Sequence, residues 1–250
     1  MRVYKICWLL LLSFGLSLSA LAQDVKVAAA ANLQSVIKPL ATEFKKQTGI
    51  SITAITGASG KLTAQAMNGA PYDIFLSADV DFAETLYAKG FAINKPVVYA
   101  SGSLILCSQK PIDAKNWKAL LNDAATQKIA IANPATAPYG KAATEVLQHE
   151  KLLSSLKPKL VYGESISQVN TYITTGVVQA GFTTEALVKD PQLKTKLYWI
   201  AMDGKLYSPI KQAMVLLKDG KEQAAAKKFY NFILSPAAQR IFKQYGYKTQ

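Results

Sequence analysis

The sequence predicts an α/β protein built as two lobes. Apolar runs of strand length alternate with segments of helical periodicity, and the alternation restarts near residue 128. Two long extended runs, near 97–107 and 205–217, are placed to cross between the two blocks. With 250 residues the chain suits one large domain or two small ones, and either buries a real core.

Val25–Ala30 reads as the first strand. Leu33, Val36, Ile37, Leu40 and Phe44 then fall on one helix face; Pro39 should kink that helix and Gly49 ends it. Ile50–Ile55 is a strand, Leu62–Met67 a helix closed by Asn68-Gly69, and Asp73–Ser77 a third strand. Val97–Tyr99 and Ser103–Cys107 form one extended stretch broken at Ser101-Gly102. In the second block Lys128–Ala132, Lys159–Tyr162 and Gln179–Phe182 are strands, with helices at Pro138–Leu147 and Ser167–Thr174. Pro209–Lys218 is extended, and Glu222–Leu234 and Pro236–Tyr245 are helical. Such alternation implies mostly parallel sheets.

The first 22 residues are set apart. Arg2 and Lys5 precede an apolar run from Ile6 to Leu18, followed by Ser19-Ala20-Leu21-Ala22. A basic start, a short apolar middle and an A-x-A end form a secretory signal cleaved after Ala22. The competing reading, a membrane anchor, needs a run of about 20 residues. Cleavage leaves residues 23–250 with 27 basic and 16 acidic side chains and one cysteine, Cys107, in an apolar run that suits a buried thiol.

Composition excludes several classes. Half of the residues are hydrophobic, which argues against disorder. A single histidine, His149, excludes a His-cluster metal site. The excess positive charge is scattered as single lysines and pairs such as Lys45-Lys46, without the aromatic-interleaved stripe of a nucleic-acid surface.

Ligands of open α/β sheets bind beyond the carboxyl ends of the strands. Four strand-to-helix junctions fall there. Ala28-Ala29-Ala30-Ala31-Asn32 offers Asn32 as N-cap, and Gly57-Ala58-Ser59-Gly60 offers Ser59. Pro134 to Gly140 places Pro138 in a first helical turn, and Ser165 with Gln168 reads as a capping box. Asn32 and Ser59 are 27 residues apart, as are Tyr139 and Ile166. Each lobe thus offers two helix N-termini, whose free N–H groups and partial positive charge suit an anion.

These junctions, with Asn68-Gly69-Ala70-Pro71-Tyr72-Asp73-Ile74-Phe75-Leu76-Ser77-Ala78-Asp79 and the C-terminal Ser235-Pro236-Ala237-Ala238 and Tyr245-Gly246-Tyr247, occur in order across 24–250. The chain resembles the periplasmic molybdate-binding proteins of ABC importers. That resemblance implies the two-lobed type II periplasmic binding fold, with 24–101 plus 218–250 as one lobe, 102–204 as the other, and 205–217 as the return strand. It implies a tetrahedral oxyanion, molybdate or tungstate, held by Asn32 and Ser59 and by main-chain N–H groups at Tyr139 and Ile166. Ala31, at a position hydroxylated in some members, offers only its backbone. It also implies a monomer without cofactor, serving a membrane permease from the periplasm. Many members carry serine at Asn32 and tyrosine at Thr184, which leaves the choice of oxyanion open.

The remaining polar residues are weighed on their own. Lys61 reads as a solvated first-turn lysine rather than an anion ligand. Asp73 and Asp79 flank a strand and suit loops and caps. A hydrolase with Ser59 as nucleophile would need a base and an orienting group; His149 lies at a polar helix end, and no G-x-S-x-G elbow exists. Sulfate or phosphate remains as an alternative ligand.

Overall fold

The computed structural model describes residues 24–249; the signal read over 1–22 lies outside the described residues. The described chain forms two five-stranded mixed sheets with helices.

The first sheet contains β1 (Asp24–Ala30), β2 (Ser51–Gly57), β3 (Ile74–Leu76), β4 (Val97–Gly102) and β10 (Ile210–Leu216), in the order β2-β1-β3-β10-β4. The second contains β5 (Leu104–Ser108), β6 (Ile129–Ala132), β7 (Leu160–Gly163), β8 (Ala180–Thr184) and β9 (Tyr198–Ala201), in the order β7-β6-β8-β5-β9. In each, two pairings are parallel and two antiparallel. The expectation of mostly parallel sheets is therefore corrected. β10 returns from the second sheet and β5 arrives from the first, so each enters its sheet running against its neighbours.

The extended stretch read over 97–107 is two strands in different sheets, β4 and β5, with only Ser103 between them. Gly102 closes β4 where a β-carbon would overlap the Tyr139 hydroxyl, so that position has no room for a side chain.

Helix α1 (Gln34–Thr48) buries Val36, Ile37, Leu40 and Phe44. It runs on through Pro39 to Thr48 and ends at Gly49, whose φ of 74° is the left-handed cap geometry. Phe44 meets Phe229 and Phe232 of α9 (Gln223–Ile233) at ring-centroid distances of 5.0 and 5.4 Å, closing the core on one face of the first sheet. α2 (Ser59–Met67) and α3 (Asp81–Ala88) cover its other face. The second core joins Ile105, Ile129 and Phe182 to α5 (Pro138–His149), reached after α4 (Trp117–Asn122), and to α7 (Ile166–Thr174), reached after α6 (Leu153–Leu156). A short α8 (Glu185–Val188) follows β8, and α10 (Pro236–Gln244) leads to the described C-terminus. The structure adds α3, α4, α6, α8 and β9 to the elements read from the sequence.

Candidate functional site

The four junctions meet. A 3-10 turn, Ala31–Leu33, follows β1 and leads into α1; α2 follows β2, α5 follows β6, and α7 follows β7. These are the carboxyl ends of two parallel strand pairs, one in each sheet. The turn and the helix starts face one small cavity, with space of ≈ 10 Å³ for the centre of a water-sized sphere. From the first sheet it is lined by Ala30, Ala31, Asn32, Ala58, Ser59 and Ala78, and from the second by Ala137, Pro138, Tyr139 and Ile166. All five residues read as ligand-binding from the sequence are in that lining, and no charged side chain is.

Ser59 and Ile166 are first in their helices, and Tyr139 is second, behind Pro138. No intrahelical carbonyl reaches an N–H at these positions. The small side chains of Ala30, Ala31, Ala58 and Ala137 leave the backbone approachable. Two capping assignments are corrected. β2 extends to Gly57, so Ala58 takes the extended N-cap conformation and Ser59 enters the helix proper. Its Oγ accepts the Ala78 N–H at 3.0 Å, tying the helix start to the segment after β3. Having accepted there, the hydroxyl still has its own proton to donate.

Asn32 is likewise not a helix cap. The 3-10 turn moves the start of α1 to Gln34 and makes Leu33 its N-cap, with Asn32 inside the turn. Its Nδ2 donates to Gln212 Oε1 at 3.0 Å and to the Tyr247 hydroxyl at 3.2 Å. Tyr247 in turn donates to the Asn32 carbonyl at 2.7 Å. Asn32 is 2% exposed, and its Oδ1 has no hydrogen-bond partner. Gln212 also touches Tyr139: its Nε2 donates to that hydroxyl at 3.3 Å. Tyr99 lies within hydrogen-bonding distance of both Gln212 Oε1 and the Ser77 carbonyl, at 3.0 Å each. Burial holds the Tyr99, Tyr139 and Tyr247 phenols above their ordinary range, so each keeps its single proton.

The Ser165–Gln168 capping box forms in altered shape. Ser165 Oγ accepts the Gln168 N–H, but the Gln168 side chain reaches back to the Glu164 N–H at 2.6 Å, one residue beyond the cap.

Besides the Gln212–Tyr139 hydrogen bond, three further contacts fasten the two sheets across the cleft. The Gly60 N–H donates to the Thr136 carbonyl at 2.9 Å. Lys61 pairs with Glu164, and Lys141 lies 3.9 Å from Asp81. Lys61 and Glu164 are 52% and 60% exposed, so Lys61 sits at the rim, clear of the cavity lining. Thr184 is buried outside that lining; its Oγ accepts the Ala186 N–H as the cap of α8. Asp73 accepts the Lys26 and Glu222 N–H groups, and Asp79 the Phe82 N–H, as loop and cap residues do. His149 is exposed at the end of α5, and burial pushes the Cys107 thiol up to about 12.

Two expected results follow. Ser59→Ala should weaken oxyanion binding on the order of 10- to 100-fold, since a hydrogen bond to a charged group contributes roughly 1.5–3 kcal/mol. It also strands the Ala78 N–H, so the melting temperature should fall; unchanged affinity would remove Ser59 from the site. Lys61→Gln should cost less than about tenfold, because an exposed ion pair is worth ~0–1 kcal/mol. Titration at low and moderate salt checks this; a hundredfold loss that survives salt would make Lys61 a direct ligand.

Two mixed sheets that bring helix N-termini from both sides onto a charge-free cavity define a two-lobed binding protein of the type II periplasmic architecture. Residues 25–248 match the family model described as bacterial extracellular solute-binding protein, and the chain belongs to that family. It is 38% identical over 237 residues to the molybdate-binding protein ModA of Azotobacter vinelandii, covering 94% of each chain. A solved structure of the periplasmic molybdate-binding protein of that organism superposes with a TM-score of 0.84 at 35% identity, covering 90% of this chain and 99% of the other. A putative ABC transporter substrate-binding lipoprotein of Bacillus subtilis is 31% identical over 229 residues, covering 90% of this chain and 86% of its own.

Proposed function

We propose that this protein captures molybdate and delivers it to an ABC importer. The observation that carries the reading is the cavity itself: helix N-termini and hydroxyl and amide side chains from both sheets converge with no charged side chain among them. A fully deprotonated tetrahedral oxyanion needs only donors, and oriented N–H groups supply them without a buried cation. Family membership and the 38% identity to a molybdate-binding protein support the same ligand. Relatives it matches are molybdate-binding proteins, which supports a binding protein rather than an enzyme, and the Ser59 hydroxyl is engaged by the Ala78 N–H.

In this reading Ser59 donates through its hydroxyl, Asn32 through its amide, and Tyr139, Ile166 and Ala31 through their backbones. Residues 24–101 with 218–250 form one lobe and 102–204 the other, with 205–217 returning between them. The anion bridges the lobes and holds them closed. Tungstate, of the same shape and charge, is a second ligand. The protein works as a monomer in the periplasm after its signal is removed, presenting the loaded form to a membrane permease.

Calorimetric titration against molybdate, tungstate, sulfate and phosphate tests the ligand. One-to-one molybdate binding is expected; tighter sulfate binding would overturn molybdate and leave an anion-binding protein. Solution scattering tests closure. Molybdate should reduce the radius of gyration and raise the melting temperature. A rise in melting temperature without compaction would place the ligand within one lobe.

A further inference from the structure

We propose that Gln212 is a positioning residue that sets the Asn32 amide for the anion, through a paired turn of the two amides; this rests on the oxyanion reading above. Protons in the buried network do not balance as the amides stand. Asn32 spends both Nδ2 protons on Gln212 Oε1 and Tyr247, while its Oδ1 has no donor. Tyr99 has one proton for two acceptors, Ser77 O and Gln212 Oε1, each at 3.0 Å. Tyr139 receives from Gln212 Nε2.

Turning the Asn32 amide alone would set its oxygen against Gln212 Oε1, two acceptors at 3.0 Å. Turning both amides removes the conflict. Gln212 Nε2 then donates to Asn32 Oδ1 and to the Tyr99 oxygen, and Tyr99 gives its proton to Ser77 O. Tyr139 donates to Gln212 Oε1. Asn32 Nδ2 now stands where its orphan oxygen stood, with both protons available to an anion in the cavity it lines. Asn32 Oδ1 thereby gains a donor in Gln212 Nε2; Tyr247, whose proton goes to the Asn32 carbonyl at 2.7 Å, gives up the bond it received from Nδ2, and the freed Nδ2 takes its partner from the anion.

The arrangement also couples site to crossing. Gln212 lies on β10, the returning strand, and Tyr139 on α5 of the second sheet's lobe. Presenting Asn32 to the anion therefore engages Tyr139 as a donor across the cleft. An Asn32 that kept its oxygen toward the cavity would favour an oxyanion that still carries a proton.

The test compares molybdate affinity of the full protein, Gln212→Met, Asn32→Ala and the double variant by calorimetry. Gln212→Met should weaken binding by about tenfold or more alone, and by less than about twofold once Asn32 is alanine. Independent, additive losses would overturn the proposal. A second measurement does not depend on the variants folding. In the unsubstituted protein the side-chain amide resonances of both Asn32 and Gln212 should shift when molybdate is added. Movement of Asn32 alone, or tighter binding of hydrogen phosphate than of molybdate, would overturn the paired turn. An unsubstituted protein that binds no oxyanion would overturn the parent reading and this one with it.

Discussion

Asn32→Asp should abolish molybdate binding in practice, with a loss above a thousandfold. The change keeps the shape of the side chain and replaces the amide of a residue that is 2% exposed, in the cavity lining, by a carboxyl. Two unit charges 4 Å apart interact by about 4 kcal/mol at an effective dielectric of 20, and a dianion doubles this. A thousandfold, which is about 4 kcal/mol, is thus a lower bound. The sign of the pH dependence follows from burial. Desolvation raises the pKa of the new carboxyl, so it neutralises as pH falls and part of the affinity returns. Titration of the variant at pH 8 and pH 6 should show tighter binding at the lower pH. Affinity within tenfold of the unsubstituted protein at pH 8 would place Asn32 away from the ligand.

Why Asn32 was legible as a cavity residue, and its partners were not, is a matter of sequence distance. The junctions are local. Small residues, Gly57, Pro138 and the Ser165–Gln168 spacing mark where a strand yields to a helix, and the hydrophobic periods on either side fix the order. Local signals do not fix ends to one residue, so β2 ran on and displaced Ser59 from its cap, and the 3-10 turn displaced Asn32. The network beneath the cavity is not local. Asn32 meets Gln212 across 180 positions and Tyr247 across 215. One cue was present: Gln212 directly precedes the apolar run from Ala213 to Leu217 on the strand that returns between the sheets, and it is fully buried. A buried amide in a central strand requires partners, and here two of them, Asn32 and Tyr139, line the cavity. The parallel character was overread for a similar reason. Nothing in β5 or β10 records that each enters its sheet from the other block.

Gly140→Ala should separate the geometry of the site from the stability of the fold. A β-carbon at Gly140 would overlap the Ala132 carbonyl, which is backbone at the end of β6 and cannot rotate away. The first turn of α5 must therefore lift off the strand. Tyr139 is the preceding residue, so its N–H moves with that turn and loses its aim at the cavity. Hydrogen bonds weaken steeply with distance and angle, and the interlobe tie from Gln212 to the Tyr139 hydroxyl is strained as well. A loss of affinity of about a hundredfold is expected, equal to about 2.7 kcal/mol. Overpacking should also cost stability, typically ~1–3 kcal/mol. Gly49→Ala supplies the comparison. That glycine has open space around its α-carbon but a φ of 74°, so alanine there carries the left-handed penalty of roughly 1–2 kcal/mol without touching the site. The two variants should thus melt at similarly lowered temperatures while only Gly140→Ala loses molybdate affinity in calorimetry. Equal, undiminished affinity in both would show that the start of α5 does not hold the anion. Equal loss in both would show that binding tracks global stability rather than the placement of that one helix turn.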